Sequence, residues 1–265
     1  MALAAGFAAS FASGVIGSFV VVKRIVAMSG SIAHSVLGGM GISLWLRRTF
    51  DLDFLTPLQG ALAAGLLSAL LMGWIHLKYK EREDTVIAAI WATGMSIGVI
   101  FIALTPGYNV ELLNFLFGNI LWVSHSDIVL LLSLDVLIAV FVAIFYHRFL
   151  AICFDEQQAL LQRVPVHTLY LLLLCLVAIA VVLLIQVVGA ILVISMLAIP
   201  AAIAGTLTHT LARMMVIATL FGALFTLLGM YASYELNWPP GATISLVAAL
   251  FYSLSLFRKK RLVGS

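Results

Sequence analysis

The feature that most limits this chain is the recurrence of apolar stretches about 20 residues long, separated by short knots of charge. A stretch of that length is what an α-helix needs to cross a bilayer, and inside hydrocarbon only helices and closed barrels satisfy their own backbone. Nine such stretches run roughly Leu3 to Val22, Ala27 to Leu46, Leu58 to Leu77, Thr85 to Leu104, Ile128 to Phe145, Leu169 to Val188, Ala190 to Ile203, Met214 to Tyr231 and Ala242 to Leu256. The expected fold class is all-α: a polytopic membrane helix bundle with eight or nine transmembrane helices, forming a single transmembrane domain over residues 1–265. Composition agrees, because 64% apolar residues against 9% charged leaves too little polar surface to coat a soluble globule. A shorter apolar stretch, Leu112 to Val123, predicts an interfacial or re-entrant helix.

Basic residues set the orientation. Lys78, Lys80 and Arg82, and the tail Arg258, Lys259, Lys260 and Arg261, belong on the cytoplasmic side. Alternation then puts His147 to His167 and the turn around Arg213 inside, and the loops with Glu111 and Glu235 outside. It also puts the N-terminus outside, with Arg47 and Arg48 external. In the run Ala2 to Val22 the positive charges Lys23 and Arg24 follow the apolar part, so it reads as a retained membrane helix and not a secretory signal. Basic residues at helix ends report topology and give no support for nucleic-acid binding. Cys153 and Cys175 lack the spacing of a redox pair or a zinc knuckle and read as small buried hydrophobes.

Small residues predict close helix packing: Gly14 and Gly17, then Gly38, Gly39 and Gly41, and the GxxxG pair Gly94 and Gly98. Between Gln186 and Pro200 the chain passes Gly189 with no polar loop. That is either an interrupted helix lining a cavity, or a tight turn followed by a proline kink.

Ionisable groups at membrane depth are costly and mark candidate sites. His34 shares a face with Gly30, Ser31, Ser35, Gly38 and Gly41, where small residues would let a partner helix approach while leaving room for an ion. Its imidazole either meets a divalent cation or bonds to a neighbouring helix. Asp135, near the middle of its span, either binds a cation, faces water or is protonated. Asp84 reads as an inner helix cap beside Glu81 and Glu83. The inner segment Phe154 to Arg163 has a different character: Asp155 and Gln158 have capping-box spacing, which starts a short helix carrying Phe154, Leu160 and Leu161. It is an ordinary interfacial helix or a docking surface for a cytoplasmic partner. There is no GxxxxGK[ST] loop, no HExxH and no dinucleotide fingerprint, so energy comes from elsewhere and no enzymatic activity is expected.

Four segments taken in order resemble the permease family of zinc, manganese and iron ABC importers, over nearly the whole chain. They are Gly17–Arg24 followed by Gly30–Gly39; Leu116–Leu121; Phe154, Asp155 and Glu156 with Ala159, Val164 and Pro165; and Val188–Leu192 through Pro200–Ala204, with Ser233, Tyr234 and Pro240–Ala242 beyond. The resemblance implies a homodimer enclosing the pathway, two cytoplasmic ATPase subunits and an extracytoplasmic metal-binding protein. It implies a transported divalent ion, zinc first and manganese or iron next, with no tightly bound cofactor, at the cell (inner) membrane. His34 and Asp135 are then candidates for the metal pathway. Phe154, Asp155, Glu156, Ala159 and Leu160 fall in the coupling helix seated on the ATPase; Gly38, Gly189 and Pro200 serve packing or the break. Two positions depart from the family pattern: Gly30 stands where an Asp is common, and Arg163 where a glycine is. The first removes a hard oxygen ligand beside His34, and the second touches how the loop docks. Two alternatives remain: an ABC permease for another small solute such as a metal chelate, and a secondary cation transporter using Asp135 and His34 as a proton relay.

Overall fold

The computed structural model describes residues 1–79, 83–106, 115, 118, 120 and 123–263. The described residues form ten helices and no strand: α1 Ala2–Val22, α2 Val26–Phe50, α3 Pro57–Tyr79, α4 Glu83–Leu104, α5 His125–Phe154, α6 Glu156–Leu161, α7 Val166–Val188, α8 Ala190–Leu207, α9 Leu211–Leu236 and α10 Pro240–Val263. Each of the nine expected spans lies inside a long helix. Seven helices (α1, α3, α4, α5, α7, α8 and α9) are long and apolar enough to cross a membrane. The count falls short of eight or nine because α2 is diluted by glycine, serine and two arginines, and the apolar part of α10 stops at Leu256. Lys80, Glu81, Arg82, Glu111, the side chains of Glu83 and Arg258–Arg261, and all of Leu112–Val123 except Phe115, Gly118, Ile120 and Val123 lie outside the described residues.

The helices form two groups. α1 is sheathed by α9, α8 and α5, with α10 closing over α9 and α8; α2 is clasped by α3 and α4, which hardly touch each other. α7 lies between the groups, against α3 and α2 on one side and α5 and α1 on the other. Consecutive α1 and α2 share little contact, so the turn at residues 23–25 is a joint between the groups. Without a hydrophobic driving force between helices in lipid, close backbone approach has to supply the packing energy. At the α2–α4 crossing Gly38 meets Gly94 and Gly41 meets Gly98: a Cβ at Gly38 would come within 2.9 Å of the Gly94 carbonyl oxygen, and one at Gly98 within 2.6 Å of Leu37.

The ends of α5 depart from expectation in both directions. It begins at His125, not Ile128, because Ser124 and Asp127 make a reciprocal capping box: Asp127 N–H donates to Ser124 Oγ at 3.2 Å and Ser124 N–H donates to the Asp127 carboxylate at 3.0 Å. It runs on through His147 and Arg148 to Phe154, so its 30 residues span about 45 Å, well past the hydrocarbon core. The inner loop is therefore shorter than the His147–His167 segment expected. Helix α4 starts at Glu83, which puts Asp84 in its first turn and not at the cap.

Two contacts orient the bundle. Lys23 pairs with Glu156, which brings the α1–α2 turn to the face that carries α6. At the far end of α2, Arg48 donates to the Pro106 carbonyl at 3.2 Å. Both agree with the alternation read from the charges.

Candidate functional site

His34 lies half-buried on α2, and its ring stacks on Trp91 of α4 with centroids 4.4 Å apart and planes 8° from parallel. Trp91 in turn donates its indole N–H to Met95 Sδ at 3.3 Å. His34 Nδ1 is buried with no hydrogen-bond partner among the described residues. A lone pair or proton left unspent in a low-dielectric setting is costly, and a passing cation or water is what relieves it. The small-residue face expected to admit a second copy is filled by α4 of the same chain: Ser31 Oγ donates to the Ile87 carbonyl at 2.9 Å, and Gly38 and Gly41 close on Gly94 and Gly98. Gly30 is the exception, since a Cβ there would meet nothing within 4 Å. The position where the resemblance leads to an Asp therefore has room for a Cβ.

Two spaces flank α2. A groove of about 580 Å³ opens between α3 and α4, lined by Ser35, Gly38, Ser43, Gly60, Thr93 and Gly94 among others. A second cavity of about 520 Å³, toward the outer end, holds Arg47 and Gln186 with Met40, Phe115 and Val182. Its guanidinium repels a divalent cation, whereas the groove has no basic group and is walled mostly by apolar side chains such as Ile42, Leu46, Leu67 and Leu71, with a few hydroxyls among them. Among the described residues no group of three or more His, Cys, Asp or Glu converges on one point.

Asp135 sits on α5, half-buried against the Ala12 backbone of α1, with Oδ1 buried and unpartnered among the described residues. Its carboxylate lies on the side of α5 that packs against α1. The structure does not bring it to His34, because α2 and α5 belong to different groups and make at most marginal contact. The break between α7 and α8 falls at Gly189, whose φ 84° and ψ 157° belong to a region nearly closed to other residues. Gly118, with φ 67°, rests on the Val188–Gly189 backbone. α8 then continues as a helix through buried Pro200.

The inner loop builds a short helix from local chemistry. Asp155 ends α5 and caps α6: its N–H donates to the Ala151 carbonyl at 3.0 Å, and its Oδ1 accepts from Gln158 N–H at 2.9 Å. Because that N–H is already used, Gln158 cannot close the reciprocal half of the expected box. Ala159 packs inward, while Phe154, Leu160 and Leu161 stay 66%, 51% and 86% exposed. α6 ends in a Schellman turn, with Val164 N–H to the Ala159 carbonyl and Arg163 N–H to the Leu160 carbonyl, both at 3.0 Å. Arg163 takes φ 59° in that turn, which explains why a glycine suits the position.

The family described as the ABC 3 transport family, ABC-3, matches residues 1–259. The chain belongs to the ABC-3 family. A Chlamydia pneumoniae protein named "Probable metal transport system membrane protein" is 48% identical over 257 residues, covering 97% of this chain and 87% of its own length. The "Manganese transport system membrane protein MntC" of Listeria monocytogenes serovar 1/2a is 34% identical over 258 residues, covering 94% of this chain and 89% of its own. The structure described as PsaBC from Streptococcus pneumoniae in complex with Fab superposes with a TM-score of 0.83 at 31% identity, covering 96% of this chain and 89% of that one. As an ABC-3 member, the protein is a multi-pass membrane subunit of an ABC metal transporter and not its ATPase.

Sequence reasoning missed three residues of this site. Lys23 reads as a topology marker, yet it bonds to Glu156. Trp91 and Tyr170 look like two apolar aromatics among many; nothing in their spacing foretells that one stacks on His34 and the other is wholly buried beneath Lys23.

Proposed function

We propose that this chain is the permease of an importer for zinc, working as two copies of one membrane domain spanning residues 1–265, fed by an extracytoplasmic metal-binding protein and driven by a separate ATPase that grips α6. The exposed apolar surface at α6 carries this reading: Leu160 and Leu161 project from a short capped helix, with Phe154 exposed beside them at the end of α5, at the face where the charge pattern puts the cytoplasm. With no nucleotide-binding loop in the sequence, force has to enter through such a surface. Zinc is favoured over manganese by the donor chemistry, an imidazole at His34 with the hard carboxylate replaced by Gly30. Manganese is the second reading, favoured by the name of the Listeria relative. The half-buried imidazole with its unpartnered Nδ1 supports an ion path along α2, completed by groups from a second copy.

Competition uptake tests the choice of metal. Cells carrying the permease with its ATPase are given radioactive zinc with excess unlabelled manganese, and the reverse. Zinc uptake that persists against manganese supports the proposal; manganese uptake that persists against zinc replaces it with the second reading.

A further inference from the structure

The joint between the two helix groups is itself pinned to α6. Residues 23–25 form a Schellman turn: Arg24 takes φ 62°, its N–H donates to the Val21 carbonyl at 3.1 Å, and Ile25 N–H donates to the Val20 carbonyl at 2.9 Å. The turn fixes the direction in which the Lys23 side chain leaves, and that side chain is only 12% exposed. Its ammonium donates to the Glu156 carboxylate and, at 2.9 Å, to the Ile152 carbonyl in the last turn of α5. It also lies 5.6 Å from the centroid of the Tyr170 ring on α7. Tyr170 is buried, its hydroxyl contacts Met28 Sδ of α2 at 3.4 Å, and its ring tilts against His76 of α3 at 4.9 Å. One cation therefore touches α5, α6 and α7 from the joint, and Tyr170 passes the contact on to α2 and α3.

We propose that Lys23 is the positioning residue that carries movement of α6 into the membrane: through Glu156 it holds the joint at residues 23–25, and so sets the angle of α2, the helix that bears His34, against α1. This rests on the reading that a separate ATPase grips α6. The physical reason is directionality. Apolar contacts between α6 and its neighbours resist separation but slide, whereas an ion pair that is also bonded to a helix-end carbonyl, at a turn of fixed geometry, moves with its partner. The ammonium is covered, whereas the Glu156 carboxylate is 37% exposed and partly screened by water, so the bond to the Ile152 carbonyl is what keeps Lys23 in place. A tether that merely stabilises the inner face would leave transport per ATP unaltered when it is weakened.

The test uses the permease reconstituted with its ATPase in lipid vesicles, with the extracytoplasmic metal-binding protein supplied on the opposite face, zinc as the probe ion, and uptake and ATP hydrolysis read on the same preparation. Lys23→Met keeps the apolar stem and removes the charge. Zinc carried per ATP should fall about tenfold, within the usual range of coupling between sites, while the ATPase still co-purifies and still hydrolyses ATP. Lys23→Arg should keep most of the ratio, and the charge swap Lys23→Glu with Glu156→Lys should restore it. An unaltered ratio in Lys23→Met overturns the proposal, and so does a loss that the swap fails to restore. Should Lys23→Met not insert, Glu156→Gln reads the same link from its more exposed side, and an unaltered ratio there is equally fatal. If the unmodified complex takes up neither zinc nor manganese with ATP, the proposed function falls and this link with it. Coupled transport by the unmodified complex, with Lys23→Met equally coupled, removes the link alone.

Discussion

The inner end of α2 and its middle are built on opposite plans. At the inner end, placement is specified by directional bonds: Lys23 to Glu156 and Ile152, and Tyr170 to Met28. Around His34, placement is specified by packing: a parallel Trp91 ring and glycines whose backbones meet α4. Bonds of the first kind transmit force, because moving one partner drags the other. Contacts of the second kind fix a shape yet leave His34 Nδ1 unspent and Gly30 facing open space. Under the proposed function, coupling belongs to the first region and ion contact to the second.

The largest effect expected is on packing. Gly98→Leu puts a Cβ within 2.6 Å of Leu37 backbone atoms, which pushes α4 off α2 at a cost beyond the ~1–3 kcal/mol usual for overpacking. Folded protein should vanish from detergent extracts, as read by size-exclusion profile and melting curve. Gly30→Ala, one helix turn before His34, should melt within ~0.5 kcal/mol of the parent or slightly above it, since Ala favours helix and nothing obstructs it. Equal melting of the two variants would break the claim that α2 is placed by glycine contacts.

Next comes the coupling surface. Phe154→Asp with Leu160→Asp leaves insertion intact but should weaken ATPase association at least about tenfold, because hot-spot apolar residues each contribute ~2 kcal/mol or more. Pull-down from detergent reads it, and undiminished capture would show that the ATPase grips another surface. His34→Ala should lower metal uptake about tenfold at equal membrane protein, the scale of losing one ligand or its support. Uptake at the parental rate would return His34 to a packing role.

Much of this was legible beforehand, and the failures have physical causes. The long helices stand out because the bilayer sets their length, and Asp155 declares α6 because a cap is a local event. The start of α5 was legible too, in the Ser124-x-x-Asp127 box, but hydropathy alone sets the boundary three residues late. Its far end was hidden because His147 and Arg148 mark where the chain leaves hydrocarbon, not where it stops being helical. The glycine face of α2 announces a close neighbour without naming it, and α4 of the same chain took the place expected for a second copy. Lys23 illustrates the same limit: a basic residue after an apolar helix is explained by topology, and only the fold brings Glu156, far along the chain, within its reach.

The smallest effect tests the backbone of the coupling loop. Arg163 holds φ 59°, a conformation that costs a non-glycine residue ~1 kcal/mol. Arg163→Gly should therefore leave stability within ~1 kcal/mol of the parent, with ATPase capture retained, as melting and pull-down would report. Lost capture would make the arginine side chain part of the docking surface.

The central claim is that this membrane subunit moves metal only when an external ATPase drives it. Vesicles holding the permease alone, or the permease with its ATPase, are loaded with ATP regeneration on the ATPase side, and zinc accumulation is followed in the presence and absence of a proton gradient. The account predicts accumulation that requires the ATPase and ATP and is indifferent to the gradient. Accumulation by the permease alone, driven by the proton gradient, would contradict it and make the protein a self-sufficient carrier.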